Sequence, residues 1–168
     1  MSNVTYGRGQ VEHALWTTFR GGSMVAPDKP PKVFLTRVKR LLEIDRTLDL
    51  SDRAAPPAVE YSFVDVPETR GGNVVFAKFD AVCLAVALDL LNAGFKQTEV
   101  VFLMRHLRLS LEAALAPIVD ARGGEAAGSD FLLIRKIELK DALNSPKLEG
   151  HVDPLFLEPI FCFMDDLS

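Results

Sequence analysis

The sequence predicts a mainly helical chain with one β-hairpin and a small β segment at its C-terminal end. Three observations carry this. Four stretches, 9–20, 32–46, 78–92 and 97–117, repeat apolar residues at helical spacing. Between the second and third of them, residues 59–76 switch to strand-like alternation around a cluster of turn residues. Beyond 130, two apolar strand-like runs are separated by polar sequence.

The first helix places Val11, Ala14, Leu15 and Phe19 on one face, with Trp16 at its margin. Gly21, Gly22, Pro27, Pro30 and Pro31 end it and form a loop. The second helix opens on that proline pair, where a missing N–H costs least. Phe34, Val38, Leu41 and Leu42 form its apolar stripe. Thr36, Lys39, Arg40 and Glu43 point away, and Arg37 lies on the rim.

Residues 47–57 read as a polar linker. Val59, Tyr61 and Phe63 then alternate with Glu60 and Ser62, which is a strand signal. The stretch from Pro67 to Asn73 is turn chemistry, and Val74-Val75-Phe76 is the expected returning strand. The third helix is apolar almost all round and is expected to be buried. Asn92-Ala93-Gly94 is its stop, with Gly94 suited to a left-handed C-terminal position. In the fourth helix Val100, Leu103, Met104, Leu107, Leu111, Ala114 and Leu115 share a face. Residues 122–129 are rich in Gly and Ala and read as a linker, and 131–137 and 155–164 read as strands. No internal repeat is evident. The expected organisation is a helical domain over 1–121, a linker over 122–129 and a β-containing assembly or partner segment over 130–168.

With 168 residues, 48% of them hydrophobic and 25% charged, the composition is that of a globular chain with a sizeable core. No apolar run is long enough for a bilayer, which takes ~20 residues, and the first residues carry no secretory pattern. The two cysteines, Cys83 and Cys162, both lie in apolar runs and form no disulfide framework. A cytoplasmic location is expected. Net charge is −4 but unevenly spread. Residues 1–53 hold nine Lys/Arg against six Asp/Glu, 54–124 six against eight, and 125–168 four against nine. A basic front and an acidic rear suit a half that faces DNA and a half that faces something else.

Enzyme motifs are missing: there is no G-x-S-x-G, P-loop or H-E-x-x-H. His13, His106 and His151 are scattered, with no Ser or Cys standing out beside them as a nucleophile. His151 and Cys162 lack the paired spacing of a structural zinc site. Asp165-Asp166 reads as a solvated end. The expectation is therefore a protein that is not an enzyme and uses neither metal nor cofactor.

The order of elements is helix, loop, basic helix, hairpin, apolar helix, Gly stop, helix. Within it, Phe76, Asp80, Leu84, Gly94, Phe95, Glu99 and Val100 form a pattern. An aromatic is followed four residues on by an acid, then come an apolar helix, a Gly-Phe turn, and a helix with Glu and a β-branched residue just inside it. This resembles the second half of the MerR-type winged helix-turn-helix. The match runs over 76–104 and is loose over 32–75. Gln97 stands where that family has an apolar residue, the hairpin lacks an Arg directly before its aromatic, and the first inter-helix loop exceeds a tight turn of ~3–4 residues.

The resemblance implies a winged-helix-like transcriptional regulator that binds double-stranded DNA as a homodimer. The basic helix would lie in the major groove and present Thr36, Arg37, Lys39 and Arg40, while Arg70 at the hairpin tip would approach phosphate. Arg can grip guanine with two donors, whereas Lys and Thr usually hold phosphates. The alternative from a different class is a protein–protein adaptor or assembly protein without DNA affinity. It draws on the overall negative charge and on the acidic C-terminal quarter as a partner surface.

Overall fold

The computed structural model describes residues 4–20, 28–48, 74–120, 130–133 and 160–163. Their order is β1 (Thr5–Gly7), α1 (Arg8–Phe19), α2 (Lys32–Thr47), β2 (Val75–Ala77), α3 (Lys78–Asn92), α4 (Gln97–Asp120), β3 (Asp130–Leu133) and β4 (Ile160–Phe163). The fold is thus mainly helical with small antiparallel strand pairs, and the four helices lie where the periodicity puts them. The described residues fall into two compact units. The first holds 4–20, 28–48 and 74–105; the second holds 106–120, 130–133 and 160–163.

Three helix starts in the first unit share one device. At α1 the side-chain Oε1 of Gln10 accepts the Gly7 N–H at 2.8 Å. At α3 Asp80 Oδ2 accepts the Ala77 N–H at 2.7 Å. At α4 Glu99 Oε2 accepts the Lys96 N–H at 2.8 Å. In each case an acid or amide three residues in reaches back to a backbone donor that the helix leaves without a partner. The flanking residues Gly7, Ala77 and Lys96 have no side-chain oxygen of their own, so this half of the capping exchange stands alone. At α2, Pro31 precedes the helix and its carbonyl accepts Leu35 N–H at 3.2 Å.

The end of α3 is a Schellman turn. Gly94 has φ 89°, its N–H donates to the Leu91 carbonyl at 3.1 Å, and the Phe95 N–H donates to the Leu90 carbonyl at 3.1 Å. Only a residue without Cβ adopts that left-handed φ at low cost.

β2 is a strand, as Val75-Phe76 suggests, and its partner among the described residues is β1. The 59–63 run, the turn over 67–73 and Arg70 lie outside the described residues. β1 and β2 are antiparallel, with Thr5 opposite Ala77, Tyr6 opposite Phe76 and Gly7 opposite Val75. This register is symmetric about the Tyr6–Phe76 pair. Each strand runs straight into a helix capped by its own third residue, Gln10 or Asp80, and a second helix follows each. The unit is therefore a strand–helix–helix motif used twice, a relationship that the unlike side chains of 5–19 and 75–89 conceal.

The core of the first unit takes Val11 and Leu15 from α1, Phe34, Val38, Leu41 and Leu42 from α2, and Phe76 from β2. Cys83, Leu84, Ala87, Leu88 and Leu90 join from α3, and the unbroken run Val100–Met104 from α4. Five successive buried residues mean that this part of α4 is enclosed all round, beyond the single face its spacing suggests. Trp16 meets Phe34 edge-on, with centroids 5.4 Å apart and planes at 61°, which ties α1 to α2. The expectation of all-round burial for α3 is corrected. Ala81, Val82, Ala85 and Val86 are only half-buried, and the first three of them line a groove.

In the second unit β3 and β4 are antiparallel partners, with Asp130 opposite Phe163, Phe131 opposite Cys162, Leu132 opposite Phe161 and Leu133 opposite Ile160.

Candidate nucleic-acid interface

The expected recognition residues belong to α2, which is amphipathic along its whole length. Phe34, Val38, Leu41, Leu42 and Asp45 are buried, a spacing that lays one stripe against the core. Lys32, Val33, Thr36, Lys39, Arg40, Glu43, Arg46 and Thr47 are exposed, and Arg37 is half-exposed between the two faces. The outer stripe thus carries Lys32, Lys39, Arg40 and Arg46, with Arg37 on its edge and Glu43 as its one acid. From Lys32 to Arg46 it extends ~21 Å at ~1.5 Å per residue.

Within this stripe the side chains are in different states. The Thr36 hydroxyl donates to the Lys32 carbonyl at 2.8 Å, a bond within its own helix. Arg37 Nη1 donates to Asn92 Oδ1 at 3.1 Å, so the last residue of α3 orients this guanidinium. Lys39 Nζ lies 3.5 Å from Glu43 Oε1, with both side chains about half in water. Such an exposed pair holds little energy and exchanges readily for another anion. Arg40 has no ion-pair partner among the described residues. Thr36, Arg37, Lys39 and Arg40 therefore do share one side of one helix. Arg70 lies outside the described residues.

Two contacts that position this helix escape the sequence reading. Asp45 is 1% exposed, and its Oδ1 accepts Nε of Arg105 from α4 at 2.8 Å. The same guanidinium donates to the Leu48 carbonyl at 3.0 Å and to the Asp45 carbonyl. The C-terminal end of α2 is thereby held by a charged fork that occupies carbonyls a helix leaves open. Asn92, read only as part of a stop signal, is the other contact.

The seven residues of the MerR-like pattern have local structural roles. Phe76, Leu84 and Val100 are fully buried, Asp80 and Glu99 cap their helices, and Gly94 and Phe95 form the Schellman turn. Among the described residues no group of three His, Cys, Asp or Glu is placed to hold a metal ion, and no helix is long and apolar enough to cross a membrane. Compared with known protein families, with curated proteins and with solved structures, the chain matches none.

Proposed function

We propose that this chain is a sequence-specific DNA-binding protein that regulates transcription, with α2 as the helix that enters the major groove. The observation that carries the reading is the outer stripe of α2, four exposed cations and an edge arginine around one acid. A helix fits the major groove, and side chains on its outward face can reach base edges. Arg40 and Arg37 are the base readers, because a planar fork matches the two acceptors of guanine. Lys32, Lys39 and Arg46 are the phosphate contacts, since an ammonium or an outlying cation suits a diffuse charge. Val33, 74% exposed, offers apolar surface for thymine methyls.

On this reading the DNA-binding unit is winged-helix-like. Arg70 touches phosphate from the segment between α2 and β2, and two copies bind as a homodimer whose α2 helices enter grooves ~34–36 Å apart.

The test is fluorescence anisotropy of the full chain with a duplex selected from a random pool and with its scrambled counterpart, across a salt series. The expected result is tighter binding to the selected duplex. Affinity for both should fall with salt, at a log–log slope near −0.9 for each phosphate neutralised. Absence of salt-dependent binding to either duplex would give the lead to a protein–protein adaptor, for which Glu43 inside the stripe and the net charge of −4 already speak.

A further inference from the structure

α1 and α3 do not close on one another. Between them runs a groove of about 380 Å³ lined by Val11, Ala14, Leu15 and Thr18 of α1 and by Lys78, Ala81, Val82 and Ala85 of α3, with Tyr6 and Gln10 at the strand end. Its volume falls within the ~300–1,000 Å³ of small-molecule sites. On each helix the lining residues follow i, i+3, i+4, i+7 spacing, so one stripe of each forms a wall two turns long, ~10 Å at ~1.5 Å per residue. Val11 and Leu15 are buried at its floor, while Ala81, Val82 and Ala85 remain half-exposed to the opening.

The walls are methyl groups, but the two ends differ. At the sheet end the lining residues are Lys78, Tyr6 and Gln10, all of them exposed. The Gln10 Oε1 is occupied by the Gly7 N–H, which leaves its amide hydrogens as the side chain's free hydrogen-bonding function. No carboxylate lines the groove, and the nearby Arg8 and Glu12 are engaged with each other at 2.7 Å. An apolar trough with a lysine, a tyrosine and a glutamine at one end complements a molecule with an apolar body and a single anionic head.

We propose that this groove is a binding site for a small amphipathic carboxylate, with its acyl or aryl body against Val11, Leu15, Ala81 and Ala85 and its head group at Lys78. The site is separate from the outer face of α2 and does not depend on the DNA-binding reading. Small side chains are what the site requires: Ala14, Ala81 and Ala85 leave the volume that larger residues would fill, as they do on the packed side of α3 at Leu84 and Leu88.

Octanoate is the probe, with octanol and octylamine as neutral and cationic counterparts. They are titrated into the full chain while the alanine, valine and leucine methyl resonances are followed by NMR. The expected result is saturable one-to-one binding of octanoate, with shifts confined to Ala14, Ala81, Ala85, Val82 and Leu15. Octanol and octylamine should bind at least tenfold more weakly. Lys78→Glu, an exposed position whose fold is checked by circular dichroism, should weaken octanoate at least tenfold and favour octylamine. Ala85→Trp should abolish all binding by filling the groove. If octanol binds as well as octanoate, or Lys78→Glu changes nothing, the anionic class is wrong. If octanoate leaves these methyls unmoved, or they are protected at a subunit interface, the groove is not a small-molecule site.

Discussion

Asp45 and Arg105 stand sixty positions apart in sequence and form an ion pair of 2.8 Å, with the carboxylate 1% exposed and the guanidinium side chain 14% exposed. The pair fixes where α2 ends and packs it to the first turns of α4. Removing one partner leaves a buried charge uncompensated, so Arg105→Ala is expected to cost ~3–5 kcal/mol by urea denaturation. Asp45→Ala should also destabilise, and the double variant should lose less than the sum of the two single ones. Simple additivity would show that the contact contributes nothing specific to the pair.

The three back-reaching caps should rank by charge and burial. Asp80 and Glu99 are 2% and 4% exposed, whereas the Gln10 bond is open to solvent. Hydrogen bonds to ionised groups contribute ~1.5–3 kcal/mol net and neutral ones ~0.5–1.5. Asp80→Ala and Glu99→Ala should therefore lower the melting temperature more than Gln10→Ala. An equal loss for all three would remove charge from the explanation.

Gly94 holds φ 89° at the close of α3. Gly94→Ala forces a Cβ into that left-handed conformation and is expected to cost ~1–2 kcal/mol in chemical denaturation. A neutral result would mean that the turn relaxes to another form without penalty.

On the DNA reading, Arg40→Ala should cost ~1–3 kcal/mol on the selected duplex and little on the scrambled one. Lys39→Ala should weaken both alike and flatten the salt slope by about one counterion. Both positions lie off the buried stripe and Ala is the best helix former, so circular dichroism should be unchanged. Binding by the Arg40 variant as tight as that of the unaltered chain would exclude this helix as the reader.

Glu43 sits 3.5 Å from Lys39 and repels phosphate. Glu43→Gln frees the ammonium and removes a like charge, so affinity for both duplexes should rise several-fold at low salt and converge with the unaltered chain at high salt. Weaker binding after this change would point instead to a partner that needs the acid, which is the adaptor reading.

The sequence by itself determined the four helices, the buried stripe of α2, the stop at Gly94 and the grouping of Thr36, Arg37, Lys39 and Arg40 on one side. These are local properties: helical faces and caps join residues three or four apart, and a left-handed turn asks for glycine wherever it occurs. Tertiary structure alone decided the pairing of β1 with β2, the repeated strand–helix–helix motif, the Asp45–Arg105 pair and the groove beside α3. A strand of three residues is too short to show alternation, and its partner lies some seventy positions away. Arg105 reads as a surface cation until the end of α2 is brought against it, and Asp45 as an ordinary acid in an amphipathic helix. The half-open side of α3 is equally silent in sequence, because an apolar helix surface reads the same whether a neighbour or a groove meets it. Whether two surfaces close or stay apart depends on side-chain volumes contributed by distant segments, here small ones at Ala14, Ala81 and Ala85, and only the assembled fold brings those volumes together.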